Sequence, residues 1–232
     1  MRPAFLFLAA SVALLGVMYA RSAVPVVDNT ATEDAADTPN GGDVGGWTDE
    51  AAQAADQANP VALMEQNTVN NDSQNDNVRA FLQMIQTSEG TARAADPYAV
   101  CYGYRHTVQD FADHPAILGE WGGESIANLG PEYAGKVSTA AGAYQIIRPT
   151  WKGCKRALAL PDFSPPSQDA AAIWIIREAG ALDAVKAGDF DQAVSLCAKQ
   201  WASLPGANAP GQGMRRLSDL RTAYVQAGGT VA

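Results

Sequence analysis

A single carboxylate closes a helical stretch near the middle of this chain: Phe81, Leu82 and Ile85, then Ser88, Glu89, Gly90 and Thr91. Val78, Phe81, Leu82 and Ile85 fall at i, i+3, i+4 and i+7, so they share one apolar face, and Glu89 lies one turn further along it. An acid placed there is half buried. Desolvation favours its neutral form, and the negative end of the helix dipole beside a Gly90 stop signal pushes the same way. A carboxylic acid kept protonated near neutral pH is what cleavage of a glycosidic bond requires. A frayed surface Glu at a helix end is the alternative that position by itself leaves open.

The elements that must hold this acid come from a chain of 232 residues that is 47% hydrophobic, within the range of globular proteins. From Asn77 onward the pattern is mostly helical. Asp76 or Asn77 caps a first helix that runs to about Glu89. Pro149 opens a helix through Trp151 to Leu158, and Ser164 with Pro165 opens another through Ile173, Ile176 and Arg177 that Gly180 ends. Phe190, Ala193, Val194, Cys197 and Trp201 line a further helix that stops at Pro205 and Gly206, and Leu217, Leu220 and Tyr224 the last. Residues Tyr98 to Phe111 alternate loosely and read as a short, irregular β-hairpin or lip, whereas Gly122, Gly123, Gly130, Pro131, Gly135 and Gly142 mark a loop-rich middle. The fold class is α+β and mainly helical, a helix bundle with a small β lip at one side.

Two segments precede it. Pro3 to Ala20 is an uncharged run of 18 residues, just long enough to span a bilayer, and residues 1–23 read as an uncleaved signal anchor or, alternatively, a cleaved signal peptide. Cutting after Ala20 puts Met18 at the −3 position and cutting after Ala23 puts Arg21 there, so no clean cleavage site exists. With Arg2 on the cytoplasmic side, everything after Arg21 is exported to the periplasmic or cell-wall side. Residues 24–76 then read as an acidic disordered linker, in which Trp47 is the one aromatic and the Ala-bearing stretch Asp49 to Met64 flickers into helix at most, its apolar face thin and interrupted by Pro60. Val24 to Val78 holds 11 acidic and no basic residues, while Arg79 to Ala232 holds 14 of each, so the net charge of −9 belongs to the tether. A neutral domain, residues 77–232, has no basic stripe for phosphates, which argues against nucleic-acid binding.

Cys101, Cys154 and Cys197 allow three pairings that sequence does not choose among, and Cys197, amid an apolar stripe, reads as a buried thiol. No histidine is patterned to activate a thiol, Gly-x-Ser-x-Gly is absent, and His106 and His114 lack zinc-ligand spacing. Neither metal nor other cofactor is assigned.

Five blocks resemble one family in order and spacing: Ser88-Glu89-Gly90-Thr91; Asp110-Phe111-Ala112-Asp113-His114-Pro115; Ser138-Thr139-Ala140-Ala141-Gly142-Ala143-Tyr144-Gln145; Asp162-Phe163-Ser164-Pro165-Pro166-Ser167-Gln168-Asp169; and Trp201-Ala202-Ser203-Leu204-Pro205-Gly206. The stretch from about 79 to 232 resembles the lambda-phage endolysins. The resemblance implies a lysozyme-like fold and cleavage of the β-1,4 bond between N-acetylmuramic acid and N-acetylglucosamine in peptidoglycan, as a lytic transglycosylase that leaves 1,6-anhydro ends. It implies that Glu89 is the catalytic acid and then base, and that the segment holding Tyr144 and Gln145 lines the glycan cleft. An aromatic face stacks on sugars and an amide holds an acetamido group, although Tyr144 also suits a core position and Gln145 a helix-start cap. Ser138, Thr139 and Trp121 are further substrate-binding candidates, Trp121 on the cleft lip between Glu120 and Gly122. Trp151, Trp174 and Trp201 sit in apolar stripes and read as core. The sequence departs from the family around Tyr102 to His106, within the lip.

The number of carboxylates separates the readings. A hydrolytic glycosidase needs a second acid about 5 to 5.5 Å from the first as nucleophile, or about 6.5 to 9.5 Å away to activate water. Asp96 precedes Pro97 at a different spacing from the two-carboxylate phage lysozymes, Asp110 and Asp113 are the remaining candidates, and Asp113 before His114-Pro115 reads as a turn or cap. A transglycosylase uses the substrate's own hydroxyl and needs no partner acid. The expected partner is therefore the peptidoglycan strand, met by a monomer tethered to the membrane through residues 3–20, with hydrolytic muramidase and a non-catalytic glycan-binding or virion structural module as the alternatives.

Overall fold

The computed structural model describes residues 59–207 and 213–232. The apolar run Pro3 to Ala20, and with it the signal-anchor reading, lies outside the described residues. Among the described residues, no helix is long and apolar enough to cross a membrane.

Among the described residues, eight α-helices run in the order α1 Pro60–Asp72, α2 Asp76–Glu89, α3 Pro115–Leu118, α4 Arg148–Leu158, α5 Pro165–Glu178, α6 Leu182–Ala187, α7 Phe190–Cys197 and α8 Leu217–Gln226, with β1 Glu124–Ser125 and β2 Val137–Ser138 between α3 and α4. Helix α2 is the central one, packed on α5, α6 and α8. Its Val78, Phe81 and Ile85 are buried as their spacing predicts. Phe81 meets Phe190 of α7 and Tyr224 of α8 edge-on, at ring-centroid distances of 6.4 and 6.5 Å. The cap is Asn75, one residue before the expected Asp76 or Asn77, because its side-chain oxygen reaches the amides of both Asn77 and Val78.

Helix α1 lies where composition reads as tether. Pro60 starts α1 rather than interrupting a helix, since a proline at the first helical position has no amide to lose, and the Asn59 side chain caps the amide of Val61. Val69 and Ala62 are buried as α1 packs on α4 and α5, and the ion pairs Glu65–Arg177 and Asp72–Lys186 fasten it to α5 and α6. Composition hides this helix because its polar residues find partners more than a hundred positions away.

The lip also differs from expectation. The two-stranded antiparallel sheet pairs Glu124 with Ser138 and Ser125 with Val137, inside the stretch that reads as loop-rich. Residues Tyr98 to Phe111 keep one internal bridge, Val100 to Thr107, and one outward, Cys101 to Ala141, and otherwise turn through short 3-10 segments at Pro97–Ala99 and Tyr102–Tyr104. The bend follows from two successive left-handed residues, Gly103 at φ 68° and Tyr104 at φ 58°. A small cluster of Tyr102, Ile126, Tyr133 and Ala140 forms the lip's own core. Trp121 packs against both that cluster and the helical core. All three cysteines are buried and unpaired, and burial pushes each thiol up to about 12.

Candidate active site

Glu89 is the last residue of α2, and Gly90, at φ 84°, turns the chain away so that the carboxyl stays inside: the residue is 4% exposed. The Ser203 hydroxyl donates to Glu89 Oε1 at 2.6 Å, and the Ser88 hydroxyl donates to Ser203 Oγ at 2.8 Å. Helix α7 ends at Cys197, short of the expected Pro205, and Ser203 arrives from the turn that follows, where the Trp201 indole N–H donates to the Tyr144 carbonyl at 3.0 Å. Arg215 completes this side. Its amide donates to the Ser203 carbonyl, its guanidinium donates to the Ser88 carbonyl, and Glu89 is among the charges that favour its charged form against burial and the repulsion of Arg93. Burial and the helix C-terminus penalise a charge on Glu89, whereas the Ser203 hydroxyl and the Arg215 guanidinium reward it. Opposing influences thus act on the two protonation states of this carboxyl.

Behind the acid lies a polar network one turn back on α2. The Gln86 amide donates to the Tyr144 hydroxyl at 3.3 Å, and the hydroxyls of Tyr144 and Tyr98 both donate to Asp169 Oδ1, at 2.5 and 2.9 Å. Burial and then the Asp169 charge push the Tyr98 hydroxyl up to about 12, and the same two causes take Tyr144 well above the usual phenol range. Both phenols therefore stay protonated and clamp α2 to α5. Thr91 adds a hydrogen bond to the Ala143 carbonyl at 2.6 Å.

The predicted substrate residues occupy distinct places. Tyr144 is buried, with its hydroxyl in the network just described. Gln145 is buried at φ 50°, and its amide donates to the carbonyls of Val100 and Gly142, each at 3.0 Å, so it braces the turn that follows β2. That turn requires glycine at 142: φ is 78° and a β-carbon would collide with the Gln168 side chain, whose oxygen accepts from the Ala143 amide. Ser138 is buried and its hydroxyl accepts from the Ala140 amide, while half-buried Thr139 accepts from the Arg148 amide. Half-buried Trp121 stacks on His106 with rings 6.4 Å apart and 7° from parallel, and His106 in turn pairs with Glu120 at 2.6 Å. The structure thus brings Tyr144 within one helical turn of the acid through Gln86, and sets Ser138, Thr139 and Trp121 in the lip.

Sequence reasoning does not single out Ser203, Arg215 or Tyr104. The Trp201-to-Gly206 block carries Ser203, which offers a signal. Arg215 lies after a glycine-rich connection with no local pattern. The rival carboxylates all have other tasks. Asp96 caps the amide of Tyr98, Asp110 accepts from the amide of Ala112, and Asp113 accepts from the Trp151 indole and the Lys155 ammonium, each at 2.7 Å.

A central helix ending in a buried glutamate, a helical body and a small two-stranded lip together define a lysozyme-like protein of the lambda type. Bacteriophage lambda lysozyme complexed with a chitohexasaccharide superposes with a TM-score of 0.58 at 37% identity, covering 68% of this chain and 97% of that one. A second structure of lambda lysozyme gives a TM-score of 0.55 at 36% identity over the same shares. The endolysin of Escherichia phage P2 is 42% identical over 160 residues, 67% of this chain and 95% of its own length, and that of Escherichia phage lambda is 38% identical over 162 residues, 68% and 94%. An endolysin family profile matches residues 79–231, and the chain belongs to the endolysin family. Helix α1 precedes the matched region.

Proposed function

We propose that this protein cleaves the bond between N-acetylmuramic acid and N-acetylglucosamine in peptidoglycan as a lytic transglycosylase. The Glu89 carboxyl protonates the glycosidic oxygen, the bond from that oxygen to C1 of the muramic acid breaks, and positive charge spreads over C1 and the ring oxygen. The carboxylate left behind takes the proton of the C6 hydroxyl as that oxygen closes onto C1. Glu89 ends the cycle protonated, no water is consumed, and the new end is a 1,6-anhydro sugar. The Ser203 hydroxyl, donating to Oε1, holds the carboxyl in one rotamer through both steps and supports the anion between them.

The observation that carries this reading is the employment of Asp96, Asp110 and Asp113 in caps, turns and an ion pair, while Glu89 accepts from the Ser203 hydroxyl at the end of α2. Hydrolysis needs one of them as a second acid. Substrate binding by a relative, lambda lysozyme with a chitohexasaccharide, supports a glycan ligand. Thr139 and Trp121 contact the glycan from the lip, and Tyr144, Gln145 and Ser138 shape the cleft from beneath. The chain works as a monomer on the periplasmic side, tethered through residues 3–20. Mass spectrometry of muropeptides released by the full chain from purified peptidoglycan tests the chemistry: anhydro-muramic ends support it, and reducing muramic ends establish the muramidase instead.

A further inference from the structure

We infer that Tyr104 is a sugar-stacking platform at the mouth of the Glu89 site, a subsite built by this chain's own lip. The inference rests on the glycan-cleaving reading above. Tyr104 is 54% exposed, one of the few large aromatic or aliphatic side chains left open to solvent, yet it is held at both ends. Its hydroxyl donates to the carbonyl of Gly90, the residue that follows the catalytic acid, at 2.6 Å. Its backbone sits at φ 58°, a conformation that side-chain-bearing residues rarely adopt, and its amide donates to the Cys101 carbonyl at 2.9 Å. The base of the loop is anchored in turn: Cys101 donates to the His106 carbonyl and Tyr102 to the Ala140 carbonyl, and both side chains are fully buried.

A phenol pinned at tip and backbone has no rotamer freedom left to lose, so an open ring face is preorganised for a flat apolar partner. The C–H face of a pyranose is such a partner, and an aromatic ring is the side chain that recognises it. The ring's position fixes which sugar this is. Because the hydroxyl is bound to Gly90, whose α-carbon also faces the Arg215 guanidinium, Tyr104 lies beside the scissile bond rather than at the far end of the glycan. The left-handed turn at Gly103 and Tyr104 is what bends the lip over the end of α2, and that turn belongs to the stretch, Tyr102 to His106, where the sequence departs from the family pattern.

Chitohexasaccharide binding to the full-length Glu89→Gln protein, followed by isothermal calorimetry, tests this without turnover. Adding Tyr104→Ala is expected to weaken binding roughly fivefold, with Tyr104→Phe within about twofold of the parent, because Phe keeps the ring and loses only the tether. Equal affinity for the Ala variant and the parent overturns the platform, and so does a Phe variant as weak as the Ala variant, which would make the hydroxyl tether the working part. If the Glu89→Gln parent binds no chitohexasaccharide, the glycan reading itself fails and the platform with it. Because Tyr104 lies exposed on a loop, all three proteins are expected to melt alike.

Discussion

The helical body and the lip are stabilised in different ways. In the body, Phe81, Phe190 and Tyr224 pack ring on ring and Trp151 meets Phe163 edge-on at 4.7 Å, within a continuous core that runs from Val69 to Tyr224. The lip has two-residue strands and a hydrophobic cluster of four buried residues, Tyr102, Ile126, Tyr133 and Ala140. It is held to the body by hydrogen bonds, the Tyr104 hydroxyl to the Gly90 carbonyl among them, and by Trp121, which touches both cores. Glu89 lies where the two meet. The glutamate thus sits on a rigid mount, the end of α2, beside a lip that has a much smaller core of its own.

Substitutions on the two sides should therefore separate chemistry from stability. Glu89→Gln is expected to lower the rate of clearing of wall suspensions roughly 10²- to 10⁴-fold with an unchanged melting temperature, because it removes the proton donor and little packing. Phe81→Ala, in the body, should cost about 3–5 kcal/mol in urea unfolding, and Ile126→Ala, in the lip, about 2 kcal/mol, with the larger loss of activity per unit of stability in the lip variant. Equal ratios for the two would mean that lip and body unfold as one unit.

A third difference concerns acid. His114 is fully buried between the lip and the body, and desolvation lowers it from 6.5 to about 4 despite the Ile146 carbonyl and Asp113, which favour its charge. The folded protein keeps this imidazole neutral while the unfolded chain binds a proton, so the stabilisation is full above pH 6.5 and falls as pH drops from 6.5 to about 4. The loss over that window is of the order of 3 kcal/mol by linkage. Asp113 does not blur the window. Burial works against its charge, but Lys155, the His114 amide and the Trp151 indole hold it below its ordinary 3.8, so its contribution is lost only at lower pH. Urea midpoints at neutral pH and near pH 4 measure the fall. The smallest expected effect is at the hydroxyl beside the acid: Ser203→Ala should reduce turnover roughly tenfold, about 1.4 kcal/mol, with the glycan dissociation constant unchanged.

The body was legible in the sequence because helices declare themselves. Val78, Phe81, Leu82 and Ile85 mark their face by spacing alone, and the burial of Glu89 follows from it. The proline and serine signals place α4 and α5 to within a residue of where they start. What spacing cannot show is a partner distant in the chain. Helix α1 looks like linker until Lys186 and Arg177 are brought to Asp72 and Glu65 by the fold. The sheet of the lip is only two pairs long, too short for alternation to register, and Ser203 and Arg215 reach Glu89 from more than a hundred residues away. The resemblance blocks contain Ser88 and Ser203, but which oxygen bonds to which is a matter of tertiary geometry.

The claim that most needs testing is that the new sugar end is made without water. Digestion of purified peptidoglycan by the full chain in oxygen-18-enriched water, with products reduced at once and weighed, answers it directly. Unlabelled anhydro-muramic ends are predicted, since the oxygen that closes onto C1 is the substrate's own. Heavy oxygen at C1 of reducing muramic ends would contradict the account and show that a water molecule, activated by a second acid, completes the reaction.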